Sequence, residues 1–194
     1  PETLMKHAGQ ALHKAKANGK NHVQIFTEAL HAEANYKLFV ENNLRRALNQ
    51  NELEVFYQPK LCLRSGRLQG LEALLRWNHP EKGMIRPDQF ISVAEETGLI
   101  VPIGEWVLRT ACTEAARWPG DTVVSVNLSP LQLHDDLLLE EITQALADNG
   151  LAGNRLELEV TESALLRETQ NLDGVLLQSM KLLVPQRLWR GLQG

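Results

Sequence analysis

Glu72 and Arg76 are the first residues whose types and spacing suggest chemistry. They belong to an apolar run, residues 68–77, in which alternation places Glu72, Leu74 and Arg76 on one face of a strand. A carboxylate and a guanidinium are costly to bury without partners. The pair would suit a site that binds a metal ion and a phosphate. On spacing alone, a strand that leaves the core with a salt-bridged rim is the favoured interpretation.

Two further segments carry metal-binding side chains on predicted strands. Residues 122–128 and 155–161 alternate so that Asn127 and Glu159 lie opposite apolar residues. Strands that alternate with helices indicate a parallel sheet with crossovers. Glu72, Asn127 and Glu159 each lie near the carboxyl end of a strand, which is where (β/α)₈ barrels carry their active sites. The local pattern would also allow an open, doubly wound sheet.

The elements that position these side chains can be assigned from apolar spacing and from turn residues. Apolar runs at 53–63 and 68–77 flank a turn in which Gly66 can adopt positive φ, and they predict a hairpin. Helical spacing predicts helices at residues 1–18, 28–49, 88–97 and 135–149, and one that Pro102 opens and that buries Cys112. Gly98 and Gly150 are expected to end two of them.

Composition excludes several classes of protein. The 194 residues are 43% hydrophobic with a formal net charge of −4, which indicates a globular chain without the basic footprint of a duplex nucleic-acid binder. No apolar run reaches the length of a membrane span, and the first residues are not typical of a signal peptide. Cys62 and Cys112 lack metal-ligand spacing, so we predict two reduced core cysteines in a cytoplasmic protein.

The amino-acid sequence of the predicted hairpin resembles that of a known family. Tyr57-Gln58-Pro59, then Glu72-Ala73-Leu74-Leu75-Arg76-Trp77 and His79-Pro80, are similar to the opening of the EAL domain. That bacterial signalling family hydrolyses cyclic di-GMP to linear pGpG. The resemblance continues through residues 126–129 and 158–162 and covers about residues 51–180. It implies a partial (β/α)₈ TIM-like barrel of the EAL type, with a first strand antiparallel to the others.

A second resemblance concerns the beginning of the chain. Residues 11–21 are similar to the closing helix of a GGDEF domain, the diguanylate cyclase family. None of that family's catalytic sequence motifs are present. The two resemblances together predict four segments. These are a GGDEF remnant at 1–27, a linker helix at 28–50, the N-terminal part of an EAL domain at 51–181 and an aberrant tail at 182–194.

The EAL resemblance also implies roles for individual residues. Glu72, Asn127 and Glu159 match metal ligands, and their hard oxygen donors suit Mg²⁺ or Mn²⁺. Such ions make bound water more acidic and neutralise charge on phosphoryl oxygens. Gln58 and Arg76 match positions that hold the dinucleotide, and Arg76 can fork onto a phosphate. Glu162 matches a glutamate that steadies a neighbouring loop, so the implied catalytic set is Glu72, Glu159 and Glu162. Glu157 is interpreted as a polar residue of the barrel interior, outside the site.

The end of the chain departs from the family pattern. The family continues with Asp-Asp-Phe-Gly-x-Gly, whose aspartates bind metal, and later strands add a lysine, a glutamate and a glutamine. This chain has no acidic residue after Asp173. We therefore expect a truncated, inactive phosphodiesterase domain, and a change of reading frame near Lys181 is one hypothesis for the tail.

Two alternatives follow from that departure. The chain could act as a non-catalytic module that binds cyclic di-GMP or a protein partner, or it could be a pseudogene product without function. An incomplete barrel would also leave an open strand edge, and this predicts a homodimer through that edge.

Overall fold

The protein is described by a computed structural model at residues 2–17, 23, 25 and 27–160. Two compact units divide between Arg46 and Ala47. The first unit contains α1 (Glu2–Ala17) and α2 (Glu28–Ala47), so both predicted helices are present and α2 ends two residues early. Within the described ranges, no helix combines the length and the apolar character that a bilayer span requires.

The second unit alternates strands with helices. Its described elements are β1 (Leu53–Leu61), β2 (Leu68–His79), β3 (Gly83–Ile85), α3 (Pro87–Glu96), α4 (Ile100–Ala115), β4 (Val123–Leu128), α5 (Leu138–Asn149) and β5 (Leu156–Val160). The strands form one sheet in the order β1-β2-β4-β5, with β3 paired to β2. β1 runs antiparallel to β2, whereas β2, β4 and β5 are parallel. The predicted barrel-type sheet with an antiparallel first strand is thereby confirmed.

The β1–β2 hairpin closes as its turn residues predict. The Cys62 amide donates to the Arg67 carbonyl at 2.9 Å, and the Gly66 amide donates to the Cys62 carbonyl at 2.8 Å. Gly66 has φ +66°, a conformation that costs glycine little because it has no Cβ. The hairpin sets the pairing of Gln58 with Glu72, which is the pairing that brings two predicted site residues together.

The helices cover one face of the sheet. That face carries the apolar residues of each strand, and Ala73, Val124, Val126, Leu156 and Leu158 are all buried. α4 packs there with a stripe of buried side chains at helical spacing: Ile103, Val107, Leu108, Ala111, Cys112 and Ala115. Burial of each of the larger side chains, Ile103, Val107 and Leu108, contributes about 1.5–3 kcal/mol. The helix layer therefore fixes which sheet face remains for polar residues.

Three sequence expectations are corrected in this unit. α5 begins at Leu138, not Asp135, because the Asp135 carboxylate accepts from the Leu137 amide at 3.0 Å and holds a turn there. α4 begins at Ile100, two residues before Pro102, which the first helical turn tolerates because its amides lack intrahelical acceptors. β3 was not predicted, since three residues are too short to show a period.

The prediction that Cys62 is a core residue is also corrected. Cys112 is a buried core thiol as predicted, but Cys62 is only half-buried at the start of the hairpin turn. Hydrogen bonding with Ser65 lowers the pKa of the Cys62 thiol, whereas burial raises the pKa of Cys112 to about 11. Both are free cysteines. Glu162, the residues after it and the predicted tail lie outside the described residues.

Candidate functional site

The face of the sheet that the helices leave uncovered gathers most of the predicted site residues. Strand pairing places Gln58 opposite Glu72 and Asn127 opposite Glu159. Because side chains alternate across a strand, residues two apart share a face. The polar face therefore carries Gln58 and Lys60 from β1, Glu72 and Arg76 from β2, Ser125 and Asn127 from β4, and Glu157 and Glu159 from β5.

Glu72 and Asn127 are in direct contact on this face. The Asn127 side-chain amide donates to Glu72 Oε1 at 2.8 Å. The contact joins the first half of β2, where Glu72 pairs with Ser125, to the carboxyl end of β4. Asn127 thus lies near a carboxyl end as predicted, whereas Glu72 does not, because β2 continues for seven residues beyond it to pair with β1 and β3. Rotation of the Asn127 amide would turn its oxygen toward the same space, so both side chains can offer hard oxygen donors to a cation.

Glu159 contacts a lysine that the sequence analysis missed. The Lys60 ammonium donates to Glu159 Oε1 at 2.6 Å and to Glu157 Oε2 at 2.7 Å, and it also contacts the Ser125 hydroxyl. Ser125 in turn donates to Glu157 Oε2 at 2.6 Å. The available signal was the alternation of β1, since Lys60 lies two residues after Gln58 and must share its face.

The environment of Lys60 keeps its side chain charged. Desolvation is the largest single influence and lowers its pKa, but hydrogen bonds and attraction from Glu157 and Glu159 outweigh it. The net result is a Lys60 pKa above its ordinary value. The Glu157 side chain is only 7% exposed, so the lysine supplies the charge that a buried carboxylate requires.

These contacts also require the sheet to curl. β1 and β5 are separated by β2 and β4, so a flat sheet would hold them about 14 Å apart. Side chains stand roughly perpendicular to a sheet, and in a flat sheet those of Lys60 and Glu159 would not meet. Their direct contact shows that the sheet bends toward its polar face, as the wall of a barrel does.

Arg76 lies over an aromatic ring. Its guanidinium carbon is 5.6 Å from the centroid of the Phe56 ring, and one terminal nitrogen donates to the Leu75 carbonyl at 2.9 Å. Among the described residues, no carboxylate forms an ion pair with Arg76. A stacked guanidinium with remaining donors is suited to a phosphate oxygen.

The carboxyl end of β4 is held in place by the loop that follows it. The Gln132 side chain, which is buried, accepts from the Ser129 amide at 3.1 Å, and the Ser129 hydroxyl donates to Glu95 at 2.7 Å. Through this bond Glu95 connects α3 to the residues just after Asn127. The loop therefore restricts where Asn127 can point.

Two of the remaining signature residues have structural roles. The Trp77 indole is buried, packs against Phe90 and donates to Glu52 at 3.0 Å. His79 Nδ1 accepts from the Glu81 and Lys82 amides at 3.2 and 3.3 Å, which shapes the turn before β3. These residues lie on the face opposite Glu72, so they support the fold of the hairpin and do not line the polar face.

The donor chemistry of the polar face fits a hard divalent cation. Glu72 and Glu159 supply carboxylates and Asn127 supplies an amide, which are ligand types that Mg²⁺ and Mn²⁺ prefer. In the described part of the chain, however, no three acidic, histidine or cysteine side chains are gathered closely enough to form a metal cluster. Glu159 is directed to Lys60, while Glu72 is directed to Asn127.

Comparison with known sequences gives a consistent result. The EAL domain family model matches residues 41–184. The cyclic di-GMP phosphodiesterase NbdA of Pseudomonas aeruginosa is 44% identical over 169 residues, covering 85% of this chain and 22% of NbdA. The bifunctional diguanylate cyclase/cyclic di-GMP phosphodiesterase MucR of the same organism is 42% identical over 169 residues, covering 85% of this chain and 25% of MucR. The chain thus spans a quarter or less of the length of these curated relatives.

A solved structure shows the same architecture. The PaMucR phosphodiesterase in complex with c-di-GMP superposes with a TM-score of 0.69 at 41% sequence identity. The match covers 75% of this chain and 59% of that one. The polar face described above is therefore part of a fold that, in this relative, is seen together with the dinucleotide.

Proposed function

The chain belongs to the EAL domain family, and we propose that its polar sheet face is the half of a cyclic di-GMP phosphodiesterase site that recognises the dinucleotide. The observation that carries the proposal is the position of Arg76, stacked on Phe56 on the same face as Gln58 and Glu72. Arg76 would donate to a phosphate oxygen, and Gln58 would hold the ligand from the neighbouring strand.

Glu72, Asn127 and Glu159 would hold Mg²⁺ or Mn²⁺ beside the phosphate. Such an ion would supply an acidic water and positive charge at the phosphoryl oxygens. The protein's own part is to place two carboxylates and one amide on the paired strands β2, β4 and β5. We assign Glu162 the role of a positioning residue for a neighbouring loop, as the resemblance implies.

The test of ligand recognition is calorimetric titration of cyclic di-GMP into the purified chain with Ca²⁺ present, since Ca²⁺ should permit binding while disfavouring turnover. We expect saturable binding. Arg76→Ala should weaken the affinity about 10- to 100-fold, which corresponds to the free energy of one hydrogen bond to a charged group. Arg86→Ala is the matched control, because Arg86 is exposed and paired with Asp88. Equal losses in the two variants, or no binding by a folded sample, would contradict the assignment.

A second candidate function is binding without hydrolysis. It is favoured by the engagement of Glu159 with Lys60 and by the small donor set on the polar face. Incubation of the chain with cyclic di-GMP and Mg²⁺ or Mn²⁺ distinguishes the two functions. Formation of pGpG that Glu72→Gln abolishes would establish the phosphodiesterase, whereas binding with no pGpG would establish the non-catalytic module.

We further propose that residues 1–27 are the end of a GGDEF domain and that residues 28–50 link it to the EAL domain. Two observations support this organisation: the helices α1 and α2 occupy these segments, and MucR is a relative that bears both activities in its name. Cyclic di-GMP is the partner that this arrangement would serve, as the ligand that one family makes and the other consumes.

A further inference from the structure

We propose that Lys60 is a built-in counter-cation that keeps Glu157 and Glu159 together on the polar face when no metal ion is bound. In this role it is a positioning residue for Glu159. The inference rests on the proposed ion site of Glu72, Asn127 and Glu159, and it adds a residue from β1 that the family signature did not identify.

The first argument is the set of contacts that the ammonium makes. Lys60 Nζ lies 2.6 Å from Glu159 Oε1 and 2.7 Å from Glu157 Oε2, and it contacts the Ser125 hydroxyl. A lysine ammonium has three N–H donors, so these three acceptors use all of them. The lysine is thereby held in one position between the two carboxylates.

The second argument is burial. Side-chain exposure is 24% for Lys60, 25% for Glu159 and 7% for Glu157. Two carboxylates on one strand face, two residues apart, would repel each other in such surroundings if no cation lay between them. Loss of one partner from a buried ionic network is costly because it removes a charge that balanced the others.

The third argument is charge balance. Glu157, Glu159 and Lys60 sum to one negative charge, and the neighbouring Glu72 brings the sum for these four residues to two negative charges. A divalent ion at Glu72, Asn127 and Glu159 would then complete neutrality with Lys60 still in place. Since Lys60 holds Glu159 through Oε1, the second oxygen of that carboxylate is the one to be offered to the ion.

The test uses Mn²⁺ alone and thermal unfolding. Lys60→Met, which removes the charge and keeps much of the apolar stem, is expected to lower Tm by several degrees in EDTA. Mn²⁺ is expected to raise the Tm of this variant more than that of the wild type, because the ion replaces the missing cation. Calorimetry should show Mn²⁺ affinity at least about tenfold higher in Lys60→Met, since one nearby positive charge is gone. The exposed Lys82 provides the control substitution, Lys82→Met.

Two results would overturn the inference. One is a decrease in Tm in Lys60→Met that is the same with and without Mn²⁺. Lys60 would then stabilise the contact between β1 and β5 independently of any ion. The other is an unchanged Tm and Mn²⁺ affinity. If Lys60→Met does not fold, adding Glu157→Gln should restore folding by removing the excess carboxylate. A double variant that still fails to fold would also contradict charge balance.

These measurements are independent of the nucleotide. A loss of coupling between Lys60 and Mn²⁺ would leave recognition of cyclic di-GMP by Arg76 intact. Absence of cyclic di-GMP binding would leave the coupling intact. Absence of Mn²⁺ binding by both the wild type and Lys60→Met would refute the proposed ion site and, with it, the role of Lys60.

Discussion

Lys60 and Arg76 are both basic residues of one hairpin and one sheet face, yet their surroundings assign them different tasks. Lys60 is occupied by Glu157, Glu159 and Ser125, so its charge serves the protein. Arg76 lies over Phe56 and donates to the Leu75 carbonyl, and we propose that its other donors serve a ligand. At the scale of the residue, the partner that a side chain meets decides its role more than its chemical type does.

Cys112 provides a prediction at this scale. Burial raises its thiol pKa from the ordinary value of 9.0 to about 11, so the folded state favours the protonated thiol. The resulting stability is complete below pH 9 and is lost as the pH rises toward 11. Urea unfolding should show about 1 kcal/mol less stability at pH 10 than at pH 8. Cys112→Ala should remove that pH dependence, and an equal decline in both proteins would contradict the assignment.

The pH range in this experiment avoids a second group. Burial, assisted by Glu114, raises the pKa of Tyr57 to about 12, and the ordinary tyrosine value is 10.0. Its contribution is therefore lost only above pH 10, whereas the contribution of Cys112 begins to be lost at pH 9. Measurements at pH 8, 9 and 10 separate the two residues without a tyrosine variant.

At the scale of the element, the carboxyl end of β4 depends on how tightly α4 and the following loop fit together. A Cβ built on Gly104 of α4 would lie 2.0 Å from Gln132 Nε2. Gln132 accepts from the Ser129 amide, two residues after Asn127. A glycine in the middle of a helix is usually a cost, but here it provides the space for the side chain that secures the end of the strand.

Gly104→Ala is therefore expected to destabilise the protein by about 1–3 kcal/mol, as overpacking of a tight site does. Gly9→Ala is the matched control because no atom lies within 4 Å of its added Cβ in α1, and it should gain about 0.5–1 kcal/mol. Chemical unfolding measures both. Adding Gln132→Ala to Gly104→Ala should recover part of the loss, and no recovery would show that Gln132 is not the clashing group.

At the scale of the whole molecule, the sheet of the described residues ends at β1 on one side and at β5 on the other. β1 ends at Leu61, which is 55% exposed, next to the hairpin turn. Unpaired strand edges tend to pair with another chain, and apolar residues at their ends favour this. The homodimer expected from the sequence therefore remains our prediction for this chain.

Sedimentation or light scattering over a range of concentrations tests the dimer. Leu61→Lys should weaken association at least about tenfold, because charged residues on an edge oppose pairing. Leu131→Lys changes an exposed leucine away from the sheet edges and should leave association unchanged. A wild-type chain that is monomeric at every concentration would rule the dimer out.

The sequence alone determined the family, the strand alternation and most element boundaries to within two residues. It could do so because the sequence motifs of the hairpin and the two-residue period of the strands are local properties of the chain. It placed Glu72, Arg76, Asn127 and Glu159 on strand faces by alternation, and pairing of the strands brings those faces together. Its errors arose where side chains compete with the backbone, as at Asp135, or where an element is too short to show a period, as in β3.

Only the tertiary structure determined which side chains of the polar face form ion pairs and hydrogen bonds with one another. Lys60 meets Glu157 and Glu159 from positions 97 and 99 residues away in the chain. Such a contact depends on the order of four strands and on the curl of the sheet, neither of which any local pattern encodes. The hydrogen bond between Ser129 and Glu95, 34 residues apart in the chain, likewise depends on how distant elements pack. The sequence predicted which residues carry charge, and the packing of distant elements determined which charges neutralise one another.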